Sequence, residues 1–259
     1  MKHDRASDIR SFLFEHGLTP VQKLAEAVGT SLATLRRDLA VLEEKGVIER
    51  IHGAAKIAES AGIEVAFAQR ETTQISAKRA IATAALPMVT PDTVIFLDSS
   101  TTVLQLARLI KLSNMTVTVF TNSLAVAHEL MAAPHIEVNM LGGRTRAQNL
   151  SVIGPLAEAM LEELWFHSLF LGAGAINAAL QVSSTDADEA RLNAVMVRRA
   201  ATTCIMADAS KFDRQATYAV CDLGPQHVLI TDKHPPETTG TAGKPQLIIA
   251  NRKQKEDRK

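Results

Sequence analysis

A row of polar side chains, Asp98-Ser99-Ser100-Thr101-Thr102, stands between a short aliphatic run and an amphipathic stretch. Such a loop can wrap a phosphate, because hydroxyls and the free N–H groups of a helix start both donate to anionic oxygens. Small polar breaks recur at Thr121-Asn122-Ser123, at Gly142-Gly143-Arg144, at Gly172 and Gly174, and at Asp208 with Lys211. Glycine allows close backbone approach, and an arginine adds charge. Taken singly, each break reads more simply as helix capping, which any strand-to-helix junction requires. Taken together, they predict an anionic, hydroxylated ligand. The Ser/Thr loop would face phosphate, with Asp98 or Glu189 accepting hydrogen bonds from sugar hydroxyls.

A different chemistry is suggested nearer the start, where residues 19–46 read TPVQKLAEAVGTSLATLRRDLAVLEEKG. Thr19 before Pro20 predicts a helix start, with the threonine hydroxyl as cap, and Gly29 predicts its end. Ser31 can cap a second helix on which Leu35, Leu39 and Leu42 share one face. Thr34, Arg36 and Arg37 then point away from that stripe, and Gly46 closes the helix. Two helices joined by a tight turn, the second presenting basic groups near its start, is the geometry that enters a DNA major groove. VIERIHGAAKI at 47–57 follows as a two-stranded wing around a His-Gly step. Two arginines alone could be a solvated face, since residues 1–57 hold nine Lys/Arg against eight Asp/Glu. The order of cap, turn, paired arginines and wing favours DNA, because each part has its own physical job: bidentate contact to guanine, phosphate neutralisation, and tracking of the backbone.

The elements that must position the strand-end loops are legible too. VIFLD (94–98), TVTVFTN (116–122), IEVNMLGG (136–143), SLFLGAG (168–174), TTCIMAD (202–208), HVLITD (227–232) and QLIIA (246–250) read as buried strands. KRAIATAALPMV (78–89), TVLQLARLI (102–110), SLAVAHELM (123–131), PLAEAMLEEL (155–164) and DEARLNAVMVRRA (188–200) repeat their apolar residues at helical steps. Alternation of this kind predicts an α/β fold with a mostly parallel, Rossmann-like sheet and helices on both faces, whose ligands sit beyond the strands' C-terminal ends.

At 259 residues and 46% hydrophobic composition, the chain can bury a substantial core. Residues 1–57 are expected to form the DNA-binding domain, 58–75 a linker, 76–250 the sensing domain, and 251–259 a frayed basic tail. No window approaches the ~20 apolar residues of a membrane span, and the charged start does not read as a signal peptide, so a cytoplasmic protein with no membrane partner is expected. Cys204 and Cys221 show neither zinc spacing nor a disulfide framework; no metal and no cofactor are expected. A formal net charge of zero leaves any DNA affinity to local clustering.

TSLATLRRDLAVLEEKGVIERIHGAA resembles the signature of the DeoR family of bacterial regulators. Leu35 stands for the usual Ile, and Ala54 replaces a second wing glycine, which argues against a left-handed backbone there but leaves the motif intact. Phe67, Arg70, Lys78 with Ile81-Ala82, then DSSTT, TNS, LGG, Glu189-Ala190 and DASKF follow later family motifs in order, so the likeness covers nearly the whole chain. It implies a winged helix-turn-helix joined to a sensor domain similar in fold to ribose-5-phosphate isomerase. The protein would then be a homo-oligomeric repressor of a carbohydrate catabolic operon, released from double-stranded operator DNA by a phosphorylated sugar.

On the DNA side the resemblance points to Ser31, Thr34, Arg36, Arg37, Arg50, His52 and Gly53. On the ligand side it points to Asp98, Ser99, Ser100, Thr101, Thr102, Thr121, Asn122, Gly142, Gly143, Arg144, Gly172, Glu189, Asp208 and Lys211, with Lys78 either a cationic contact or a surface lysine. Ser100 replaces the family's usual glycine, and Asn177 with Leu180 replaces an Asp and a nearby Gly, so an atypical ligand preference is expected. The competing reading is a sugar-phosphate isomerase or deaminase using the same carboxylates and lysine for proton transfer; it leaves the first domain without a purpose.

Overall fold

The computed structural model describes residues 5–58, 67, 69–236 and 243–250, in two compact units that divide after Thr73. Of the expected linker, residues 59–66 and 68 lie outside the described residues, as does the tail at 251–259.

The first unit holds helices α1 (Arg5–His16), α2 (Val21–Val28) and α3 (Leu32–Glu44), with strands β1 (Thr19–Pro20), β2 (Ile48–Ile51) and β3 (Ala54–Ile57). The strands form a small antiparallel sheet in the order β1-β3-β2. Ile9, Leu13, Leu24, Leu35 and Leu39 are fully buried in one cluster that also takes Ile48 and Ala55 from the wing. Ser31 caps α3 by accepting the Thr34 N–H at 3.2 Å. Gly46, with φ of +66°, closes that helix: its own N–H reaches the Glu43 carbonyl and the Val47 N–H reaches Leu42, each at 2.9 Å.

The start of α2 departs from expectation. Thr19 does not cap it; Pro20 occupies the N-cap position without a side-chain bond, and the Thr19 hydroxyl donates to the Gly17 carbonyl at 3.0 Å. Thr19 instead pairs with Ala55 in the sheet, and the wing's Gly53 carbonyl accepts the Val21 N–H at 3.0 Å. A tertiary partner thus satisfies the group that a side chain was expected to satisfy. At the wing tip His52 and Gly53 both have positive φ, +43° and +83°, as a two-residue hairpin turn of the I′ kind demands. Ala54 lies in β3, so the left-handed strain falls on His52.

The second unit is built on a seven-stranded sheet of β4 (Val94–Leu97), β5 (Val117–Thr121), β6 (Ile136–Met140), β9 (Phe166–Gly172), β12 (Ala200–Met206), β14 (His227–Thr231) and β15 (Gln246–Ile249). Every pairing is parallel, in the order β15-β14-β12-β9-β4-β5-β6. The central strands are aliphatic throughout because both faces are covered: Ile95, Phe96 and Leu97 are all fully buried. Helices α4 (Ile75–Ala85), α5 (Thr101–Leu112) and α6 (Leu124–Leu130) pack in a row, while α7 (Pro155–Glu162) and α8 (Ala187–Arg198) pack on each other. Right-handed crossovers place these two groups on opposite faces, because the chain runs outward from β4 in one direction and from β9 in the other.

Two small antiparallel assemblies complete the unit. One is the hairpin β7 (Arg144–Arg146) with β8 (Ser151–Ile153); the other is a sheet in the order β10 (Ala175–Ile176), β11 (Gln181–Ser184), β13 (Tyr218–Asp222). In the turn between β10 and β11, Leu180 adopts φ of +61° while buried. The position where a glycine was expected does require a left-handed backbone, which a leucine adopts at a cost of about 1 kcal/mol.

Candidate functional site

The helix α3 presents two faces of opposite character. Leu35, Leu39 and Leu42 are buried, whereas Arg36 and Arg37 are exposed and, among the described residues, have no hydrogen-bond or ion-pair partner. Thr34 lies half-buried in the first turn, where its hydroxyl lies 2.9 Å from Ser31 Oγ. Asp38, one residue beyond the arginines, does not neutralise them. It is taken by a two-pronged bond from Arg5 at 2.6 and 3.2 Å. In the wing, Arg50 pairs loosely with Glu43 at 3.6 Å, and His52 and Gly53 form the exposed tip. A rigid helix thereby offers two uncompensated guanidinium groups beside a protruding hairpin, the arrangement a polyanion with a groove would select.

In the second unit the parallel sheet aligns Asp98, Thr121, Asn122, Gly172 and Asp208 at the C-terminal ends of their strands, hence along one edge. The chain reverses direction between β4 and β9, and that switch point is where α/β folds hold ligands. Asp98 sits there. Its Oδ2 accepts the Gly172 N–H at 3.0 Å and its Oδ1 accepts the Ser100 N–H at 2.9 Å. Burial pushes its carboxyl up to about 6 and the neighbouring Glu189 charge pushes the same way, against the lowering effect of those two N–H donors. Ser100 in turn caps α5 by accepting the Val103 N–H at 3.1 Å. Ser100, where a glycine was expected, has ordinary extended dihedrals, φ −74° and ψ 146°, and its side chain fills the space above Gly172, where an added Cβ would come within 2.3 Å of it.

Lys78 is not a surface lysine: it is 5% exposed, and its ammonium donates to Thr101 Oγ1 at 2.8 Å. Buried lysines carry their charge only where oxygens surround them, and this one stands beside the start of α5. Ser99 and Thr102 complete that buried loop. On the next strand Thr121 donates to the Leu97 carbonyl at 2.6 Å, and Asn122 donates through Nδ2 to the Val152 carbonyl at 3.2 Å. Gly143, with φ of +144°, is needed for packing: a Cβ there would meet the Ile153 carbonyl at 2.8 Å. Gly142 meets only Leu156, at 3.8 Å. Asp208 stands further along the edge and caps the short 3-10 turn Ala209–Lys211 through the Ser210 N–H at 2.9 Å. No hydrogen bond among the described residues joins Asp208 or Lys211 to the Asp98 group.

Glu189 is a junction that the sequence placed in the site without its partners. It accepts from Asn149 Nδ2 at 2.7 Å and from Ser184 Oγ at 2.9 Å. Arg144, the arginine singled out from sequence, pairs with Asp188 with its side chain 63% exposed; Arg146, at 16%, reaches Asp186 at 3.2 Å and faces Glu189 at 3.9 Å. The Gly-Gly-Arg break drew attention to Arg144 alone, and only the fold brings out Arg146. Among the described residues no group of three or more His, Cys, Asp or Glu could hold a metal, and no helix is long and apolar enough to cross a membrane.

The pattern described as DeoR-like helix-turn-helix domain matches residues 5–61, and that described as DeoR C terminal sensor domain matches residues 73–233. The chain is similar to the HTH-type transcriptional regulator GlpR of Haloferax volcanii, 36% identical, over 82% of each protein. It is 34% identical to the putative aga operon transcriptional repressor of Escherichia coli O157:H7, over 89% of this chain and 86% of that one. It is 29% identical to the lactose phosphotransferase system repressor of Staphylococcus aureus, over 93% and 96%. Among solved structures, ribose 5-phosphate isomerase A of Methanocaldococcus jannaschii overlaps 54% of this chain and 55% of its own at 16% identity and a TM-score of 0.40, too loose a likeness to carry function. The carboxylates and lysine at the sheet edge therefore lie in a regulator and not in an isomerase or deaminase: this chain belongs to the DeoR family of DNA-binding transcriptional regulators.

Proposed function

We propose that the chain is a repressor of a carbohydrate catabolic operon that releases its operator on binding a phosphorylated sugar. The observation that carries the DNA half is the pair of exposed, unpaired arginines, Arg36 and Arg37, held rigidly opposite the buried leucines of α3. Ser31, Thr34, Arg50, His52 and Gly53 surround them as backbone-positioning contacts. The sensing half is supported by the buried Lys78 beside the Ser99–Thr102 loop, a place for phosphate, and by Asp98 and Glu189 as acceptors for sugar hydroxyls. The printed names of the aga operon and lactose phosphotransferase repressors point to sugar metabolism as the setting. A cytoplasmic homo-oligomer fits this role, because two winged helices at a fixed spacing read a repeated half-site. For release, the ligand must bind the DNA-incompetent state more tightly, by about 2–3 kcal/mol for a roughly 30- to 150-fold change in affinity.

The test is a gel-shift titration on the chain's own promoter fragment. The Arg36→Ala/Arg37→Ala double variant is expected to lose affinity by about 100-fold or more while melting like the parent. Retained binding would overturn the recognition helix. If no sugar phosphate in a thermal-shift panel raises stability or weakens the shift, the sensing half fails.

A further inference from the structure

Most polar groups at the sheet edge are satisfied internally, and two of the buried atoms left without a hydrogen bond belong to the β7–β8 hairpin and to the end of the strand that it meets. Arg146 Nη1 is fully buried and has no hydrogen-bond partner among the described residues. The nearest carboxylate oxygen, Glu189 Oε2, lies 3.9 Å away, beyond hydrogen-bond reach. A second orphan, Asn122 Oδ1, belongs to a residue 2% exposed whose Nδ2 is tied to Val152 of the same hairpin. An oxygen bridging an arginine nitrogen and a carboxylate oxygen 3.9 Å apart would lie at hydrogen-bond distance from both. Such a hydroxyl accepts from the guanidinium and donates to the carboxylate, giving Arg146 Nη1 the partner it lacks. A phosphate suits the place badly: Asp186 and Glu189 already face the guanidinium, and Asp98 lies close enough to feel the Glu189 charge.

We infer that Arg146 and Glu189 form the subsite that reads a hydroxyl group of the ligand, with the anionic group held elsewhere, so that the β7–β8 hairpin sets sugar specificity. The inference rests on the sugar-phosphate reading above and deepens it. The anchoring is physically sound for recognition. Arg146 is held by Asp186 at 3.2 Å and Glu189 by Asn149 and Ser184, so both side chains are anchored before a ligand arrives. A site built this way rejects an analogue that lacks the hydroxyl, because the buried arginine nitrogen is then left unpaired.

The experiment is calorimetric titration of the full chain with inorganic phosphate, ribose 5-phosphate, glucose 6-phosphate, and deoxy analogues of each sugar lacking one hydroxyl in turn. The unaltered protein is expected to bind one deoxy analogue roughly 10- to 100-fold more weakly than its parent sugar. In Arg146→Gln that ratio should collapse toward one while the affinity for inorganic phosphate stays unchanged. Arg146→Lys, which keeps a donor, should recover part of the ratio, and Arg198→Gln, at the exposed far end of α8, should leave it intact. If Arg146→Gln weakens every compound in proportion, inorganic phosphate included, the residue only braces the hairpin and the inference is wrong. A full ratio retained in Arg146→Gln also overturns it, and leaves the repressor reading standing. No binding of any sugar phosphate by the unaltered protein overturns both.

Discussion

The two units place their polar chemistry in opposite states. On α3 the arginines are exposed and lack internal partners, and the buried leucines beneath them supply only rigidity. At the sheet edge, Lys78, Asp98, Thr121 and Asn122 are nearly inaccessible, and each is bonded to another part of its own unit. A surface that waits for a polyanion can lose its charges without losing its fold. An edge whose groups bond one another cannot, because removing one strands its buried partner. DNA recognition and stability are thus separable in the first unit, whereas ligand recognition and stability are coupled in the second.

That contrast can be tested most severely with salt. Raising sodium chloride from 50 to 200 mM should weaken DNA binding by about 10- to 1,000-fold, through counterion release, and leave melting of the sensor unit almost unmoved. A comparable salt sensitivity in sensor melting would mean that its charges are as solvated as those of α3.

Next in size is the protonation of Asp98. Its folded-state value of about 6 lies above the ordinary 3.8, so the folded protein takes up this proton before the unfolded chain does. Stability from this group is therefore greatest at low pH, falls as pH rises from about 4 to about 6, and is flat above, a change of at most about 3 kcal/mol. Urea titrations across that range should show the slope in the parent and not in Asp98→Ala, which should also be less stable at every pH. Equal slopes would remove Asp98 as the responsible group.

Smaller, and directly comparative, are the two serine caps. Ser31→Ala and Ser100→Ala each remove a bond to a helix N–H, at 3.2 and 3.1 Å, and each should cost about 1 kcal/mol. Ser31→Ala should affect DNA affinity alone among the binding functions. Ser100→Ala should also alter sugar-phosphate affinity, because the hydroxyl packs between Asp98 and Gly172. Identical binding profiles for the two would erase the proposed distinction between the units.

The smallest effect is expected at Leu180→Gly. Relief of the φ +61° strain and loss of a buried side chain oppose each other, leaving a net change within about 1–2 kcal/mol by chemical denaturation. Ligand affinity should change little, since the turn lies at the opposite end of β11 from Ser184, the residue that bonds Glu189.

Much was legible in the chain because it depends on local periodicity. The Leu35, Leu39 and Leu42 spacing, the Ser31 cap, the Gly29 and Gly46 stops, and the seven aliphatic runs all follow from rules acting over four to eight residues. The parallel order of those runs then places Asp98, Thr121, Asn122, Gly172 and Asp208 on one edge without further information. The short antiparallel strands were not legible: Arg-Thr-Arg, Ser-Val-Ile and Gln-Val-Ser-Ser carry too few residues, and too polar, to show a period of two.

What only tertiary structure decided is which partner each polar group meets. The sequence by itself named Asp98, but its hydrogen-bond donor Gly172 lies 74 residues away and becomes a neighbour only because β9 pairs beside β4. It marked Thr19 as a cap, yet sheet pairing with β3 brought the Gly53 carbonyl to that helix instead. It named Arg144 and passed over Arg146, and the two environments diverge only where the hairpin meets α8. Periodicity reports which face a residue occupies; burial and hydrogen-bond partnership depend on what the rest of the chain brings against that face, and those contacts are distant in sequence.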